Sequence, residues 1–217
     1  MRLTKKGNPC AANVYEARNG AGVKVKRMPI ILYLGGDINE YNVKSEGIIN
    51  RGVSEGRFLC ENCLRPMRVH SHYDRGIKEK GETISITVVW CSKCREWHAL
   101  LPDFVLPFKH YSGNEIEAVV IESATESVSR INTDASGSTA RRWIRQIVER
   151  VKRAVGILKL LFGQNGQAVS EIIVDPGPCY SELEQILEMA PQYIKCSGNK
   201  LGMANIWLGT NAVAAYI

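Results

Sequence analysis

Two C-x-x-C pairs constrain this chain more than any other feature: Cys60 with Cys63, and Cys91 with Cys94. A two-residue spacer turns both sulfurs of a pair toward one point. Two such knuckles facing each other gather four thiolates into a tetrahedron, which suits structural Zn²⁺ and leaves no open position for substrate. Residues 64–90 separate the pairs, and within them Glu82 to Trp90 is a run rich in β-branched residues that predicts a strand delivering Cys91. A strand running into a C-x-x-C is the layout of a zinc ribbon. One C-x-x-C alone is equally a redox pair or an accident, whereas two at this spacing favour metal.

Disulfides are the competing use of these cysteines. The chain opens Met1-Arg2-Leu3-Thr4-Lys5-Lys6 without the apolar stretch of a secretory leader, and it has no uncharged run of about 18 apolar residues to span a membrane. The expectation is a cytoplasmic protein with reduced thiols and no membrane association. Seven cysteines is an odd number, and Cys10, Cys179 and Cys196 stand apart from one another, so they read as inert small hydrophobes. His70, His72 and His98 are further metal-ligand candidates. Four cysteines already complete a site, so the histidines read as hydrogen-bonding residues, with His98 the better substitute ligand.

Charge is unevenly placed. Residues 1–27 carry seven Lys or Arg against Glu16, and residues 138–153 carry six against Glu149. Residues 155–217 hold three lysines against five acids. Basicity confined to an arm and one helix is how a phosphate-backbone binder distributes it.

The arm, 1–27, has no apolar period and reads as a flexible or irregular segment. Pro29 to Leu34 is a buried-strand candidate stopped by Gly35-Gly36, which lacks phosphate-loop spacing and reads as a plain turn. Residues 37–56 are polar and punctuated by glycine, and read as a connection to the first knuckle. Arg75 to Gly81 is the expected hairpin turn. Pro102 and Pro107 forbid a helix interior between Leu100 and Phe108, so those apolar residues are expected to pack a rigid linker onto the next unit.

Ser112 is a good N-cap for a helix from about Gly113 to Ser123, with Ile116, Val119 and Val120 on one face. Thr125 to Ile131 is expected to make a short second helix, and Asn132 to Ala135 a turn. Ser136 then caps a third helix from Gly137. Its apolar positions, Trp143, Ile144, Ile147, Val148, Val151, Ala154, Val155 and Leu158, form one stripe at period 3.6 that stops at Gly163. Helix, short helix, turn and longer basic helix is the layout of a helix-turn-helix, although an ordinary bundle with a solvated basic face has the same pattern. Three features favour double-stranded DNA. Ser138, Thr139, Arg141 and Arg142 crowd the first turns, Arg145, Lys152 and Arg153 follow on the outward arc, and Arg outnumbers Lys, as forked recognition of guanine or phosphate prefers. A zinc ribbon also stands immediately upstream.

Beyond residue 163, Asp175 to Pro178 reads as a loop, and Ser181 as the cap of a helix ended by Pro191. The uncharged tail 201–217 either packs as the last helix or buries against a second chain, a second copy or a transposase partner. The expected fold is α+β in four parts: basic arm 1–27, β-strand plus zinc ribbon 28–108, helix-turn-helix 109–162, and a small helical region 163–217.

The middle of the chain resembles an uncharacterised family of bacterial zinc-ribbon proteins associated with insertion sequences. The resemblance rests on Cys60-Glu61-Asn62-Cys63, His72-Tyr73-Asp74-Arg75, Cys91-Ser92-Lys93-Cys94, His98 to Phe104 with Pro107, Tyr111-Ser112, and Ser136, Thr139, Arg142 and Trp143. It implies the DNA-binding front end of a transposase or a stand-alone relative, and brings no activity with it. Five acids after residue 155 are too few, in too short a segment, for a two-metal carboxylate site. No hydrolase or nucleotide motif occurs elsewhere, so the expectation is a non-catalytic DNA-binding protein. The competing reading is a zinc-ribbon protein-interaction module without DNA binding.

Overall fold

The computed structural model describes residues 17–18, 24–25, 29–34, 37–60, 62–164, 179–190 and 198–210. Within the basic arm, β1 (Ala17–Arg18) and β2 (Lys24–Val25) pair antiparallel. The rest of the arm, the turn at Gly35-Gly36, the loop 175–178 and residues 211–217 lie outside the described residues, as do Cys10 and Cys196.

The centre is a four-stranded sheet made of β3 (Ile30–Leu32), β4 (Arg68–Ile77), β5 (Glu82–Cys91) and β6 (Glu96–Pro102), in the order β3-β6-β5-β4. The last three form an antiparallel meander, and β3 joins β6 in parallel, with Ile30 opposite Leu100. β4 and β5 are linked by a 3₁₀ turn, Lys78–Lys80, closed by Gly81 in the left-handed conformation (φ 63°). In β5 the burial first alternates, Ile84 and Ile86 inward. It then becomes continuous from Ile86 to Val89, where the strand is covered on both faces.

Residues 38–54 correct the sequence reading: they form a helix, α1 (Ile38–Ser54). Asp37 caps it by accepting the Glu40 N–H at 2.8 Å. Its inward stripe is Ile38, Tyr41, Ser45, Ile49 and Gly52, at helical spacing but with a serine and a glycine in it, so the apolar signal is diluted. A Cβ at position 52 would stand 2.8 Å from the Phe58 ring, so any larger residue there must displace that ring. Tyr41 docks the helix on the sheet by donating to the Ser85 carbonyl at 2.7 Å, and burial pushes its phenol up to about 12.

The helical half comprises α2 (Gly113–Glu122), α3 (Gly137–Gln164), α4 (Cys179–Glu188) and α5 (Lys200–Thr210). Ser112 caps α2 by accepting the Glu115 N–H, and Ser136 accepts the Thr139 N–H at the start of α3. The α3 stripe, Ala140, Trp143, Ile147, Val151, Ala154, Val155 and Leu158, is wholly buried against α2, α4 and α5.

The expected second helix is not formed. Residues 123–136 make successive turns, in which Ser123 and Thr125 donate to carbonyls three residues back and Ser127 meets Ser129. Such hydroxyls offer the backbone an alternative to helix, and of this segment only Val128, Ile131 and Ala135 reach the core, too few to nucleate one.

Ser181 is also displaced from its expected role: α4 begins at Cys179, so the serine lies inside the first turn. Of the apolar tail, Leu201, Ala204, Ile206, Trp207 and Leu208 pack within their own chain, as its last described helix. Glu117 of α2 accepts the N–H groups of Lys200 and Leu201 and so caps α5 from the side. One core lies around the sheet and α1, the other among α2 to α5, and Ile31 and Leu106 of the sheet side join the second. No described helix is long and apolar enough to cross a membrane.

Candidate metal centre and nucleic-acid interface

The Sγ atoms of Cys60, Cys63, Cys91 and Cys94 lie within 4.8 Å of one another, and those of Cys63 and Cys91 approach to 3.5 Å. Thiolates on tetrahedral corners at a Zn–S length of about 2.3 Å stand about 3.8 Å apart, so the cluster has the size of a closed four-sulfur site.

The two knuckles are matched. The Leu64 N–H donates to the Cys60 carbonyl at 2.8 Å, and the Arg95 N–H to the Cys91 carbonyl at 2.8 Å. Leu64 and Arg95, each directly after its pair, are both left-handed, with φ of 54° and 58°. Non-glycine residues hold that conformation only where the surroundings enforce it. The first knuckle tips a short hairpin, in which Met67 donates to Phe58 and Cys60 to Arg65. The second is the β5–β6 turn, Cys91 opposite Glu96. Asn62 ties them together by donating to the Glu96 carboxylate at 2.5 Å.

The thiols on their own resist ionising together. Cys94 is pushed up to about 12, first by its hydrogen bond to Cys63 and then by burial. Burial raises Cys60 as well, while the Cys94 N–H aimed at Cys91 lowers that thiol to about 7. A divalent cation reverses this balance and holds all four as thiolates. Among the described residues no other group of three or more His, Cys, Asp or Glu gathers this closely. His70 and His72 are exposed on β4, with His70 edge-on to Trp90 and Trp97, and His98 is buried in β6 opposite Val89.

The nucleic-acid candidates all lie on α3. Ser138, Arg141, Arg142, Arg145, Lys152 and Arg153 are exposed and Thr139 is half-buried. At about 100° per residue they do not share one face. Arg142 and Thr139, together with Gln146 and Arg150, turn toward a cavity beside the loop 107–111, whereas Arg141, Arg145 and Lys152 line a separate arc. Sequence reasoning did not single out Lys78, Lys109 and His110 on the far wall of that cavity. They are scattered in the chain, and only the return of β4 to the start of α2 unites them.

Residues 60–143, from the first knuckle cysteine to the core tryptophan of α3, match a domain of unknown function, DUF6431. No curated protein and no solved structure matches the chain.

Proposed function

We propose that this chain is a zinc-dependent, non-catalytic DNA-binding protein of a mobile genetic element, acting as a transposase-associated or regulatory factor. The four cysteines hold one Zn²⁺ in a zinc ribbon, and the ion serves to fold that end of the sheet. Four thiolates fill its coordination, so it offers no position for a reacting water. The unit α2–turns–α3 acts as an open helix-turn-helix, with successive turns where a second helix would stand and α3 as the recognition helix.

The observation that carries this reading is the division of α3. Its apolar stripe is fully buried, so Arg141, Arg142, Arg145, Lys152 and Arg153 are left outward, with Glu149 the helix's sole acid. Arginine forks near the N-terminus of such a helix suit guanine edges in the major groove, and the later Lys152 and Arg153 suit phosphates. The mobile-element assignment rests on the resemblance of the cysteine pairs, His98 to Phe104, and Ser136 to Trp143.

The test is selection of bound sequences from random duplex DNA by the zinc-loaded protein. Enrichment of a defined motif is expected. Failure to retain any duplex would replace this reading with the protein-interaction module, which the exposed Leu59 and Leu64 beside the metal end favour.

A further inference from the structure

The β4–β5 hairpin has the cysteines at one end and a cavity of about 420 Å³ at the other. Around the cavity stand Lys78, Lys109, His110, Arg142 and Arg150, and among the described residues no carboxylate lines it. Lys109 donates to Gln146 at 2.7 Å. Among the described residues, Lys78, Arg142 and Arg150 form no ion pair. Cations drawn into one concavity repel one another, and an anion removes that penalty.

The wall is built rather than incidental. Buried Arg75 donates to the carbonyls of Leu106 and Lys109 and so fixes the loop, and the Lys78 N–H donates to the His110 carbonyl at 2.8 Å. Glu79, next in the 3₁₀ turn, accepts the Ser112 N–H at 2.8 Å. Tyr111 stands edge-on to Trp143, ring centroids 4.8 Å apart, and Lys78 Nζ sits 5.8 Å from the Tyr111 centroid. Phe108 holds a left-handed backbone (φ 62°), rare for an aromatic residue, with its side chain exposed at the rim.

We propose that this pocket binds a nucleotide phosphate: the phosphate oxygens on Lys78, Arg142 and Arg150, and the sugar or base against Phe108. Guanidinium and ammonium donors match phosphate oxygens, an exposed aromatic ring is a stacking surface for a base, and the cavity is of ligand size rather than ion size. The inference goes beyond the DNA-binding reading, because the pocket takes a nucleotide phosphate whether it is free or the end of a strand.

The probe is the His110 ring, followed by nuclear magnetic resonance in the full zinc-loaded chain, with His72 on the far part of β4 as internal reference. The ligands are inorganic pyrophosphate, adenosine diphosphate, and a short single-stranded oligodeoxynucleotide with and without a 5′-phosphate. We expect His110 to shift and His72 to stay for the phosphate ligands, and binding about tenfold or more weaker in Lys78→Ala/Arg150→Ala, since charge-assisted hydrogen bonds are lost. Metal content and circular dichroism establish that this variant is folded, and if it is not, Lys78→Gln is used alone. A shift with the free diphosphate but not the oligonucleotide assigns the pocket to free nucleotides, and a shift only with the 5′-phosphorylated oligonucleotide assigns it to strand ends. His110 unmoved by every ligand, or unchanged affinity in the folded variant, overturns the inference. In that event duplex retention by the same protein leaves the DNA-binding reading standing.

Discussion

The cysteine cluster and the cationic pocket close opposite ends of one β-hairpin, whose strand Arg68–Ile77 extends about 30 Å at a rise of about 3.4 Å per residue. Their construction differs. At the metal end the chemistry is local: each C-x-x-C and the left-handed residue after it form a self-contained turn, and β5 needs only to deliver the second beside the first. At the pocket end no two cations come from a motif. Lys78 ends the hairpin, Lys109 and His110 follow the proline-bounded loop, and Arg142 and Arg150 sit two turns apart on α3. A ligand set with fixed spacing is therefore readable in sequence, whereas a charge set assembled by topology is not. Arg75 belongs to both ends in a physical sense, since it lies on the strand that leaves the first knuckle and pins the loop that walls the pocket.

The largest expected effect breaks the metal end. Cys60→Ser, or chelation of the metal, removes a contribution on the order of 10 kcal/mol in small structural zinc sites. It should unfold the sheet half, read as loss of bound zinc and of hydrogen-exchange protection in β5 and β6. Protons compete with metal for thiolates, so apparent zinc affinity should fall as pH falls. Retained protection in β5 and β6 after complete metal removal would show that strand packing, rather than sulfur ligation, holds this end.

Next comes the helical core. Trp143 is 2 % exposed and packs edge-on against Tyr111. Trp143→Ala should cost about 3–5 kcal/mol in chemical denaturation and leave zinc stoichiometry intact. Simultaneous loss of metal would mean that the two ends do not fold separately.

The smallest effect sharpens the comparison on α3 itself. Arg141→Ala should relax sequence preference, by about 1–3 kcal/mol of discrimination if its fork reads a guanine, while Lys152→Ala should weaken preferred and scrambled duplexes alike. The structure separates Arg142, which lines the pocket, from Arg141, which does not. Loss of the same factor on both duplexes in Arg141→Ala would mean that this arc does not read bases.

The strand Glu82–Cys91, the caps Ser112 and Ser136 and the long α3 stripe were legible because periodicity, capping chemistry and burial agree there. The four metal-ligand candidates were legible for the same reason: their spacing is itself the geometry. α1 was not legible. Ser45 and Gly52 occupy its inward face, and the apolar residues they replace would have carried the period. The stretch Thr125–Ile131 failed in the opposite direction: only its Val128 and Ile131 reach the core, while the Thr125 hydroxyl turns back to the Glu122 carbonyl and Ser127 meets Ser129. Ser181 shows that a good capping residue does not cap when the helix begins upstream of it.

The central claim is that the exposed basic arc of α3 meets the DNA backbone, and the salt dependence of duplex affinity tests it most directly. Arg145 and Lys152 on that arc, with Arg153 beside it, each neutralising one phosphate, predict a log–log slope of about −3 against salt, at about −0.9 per phosphate. The same measurement on Lys152→Ala/Arg153→Ala should flatten the slope by about 2. A slope near zero, or one unchanged in that variant, would contradict the account.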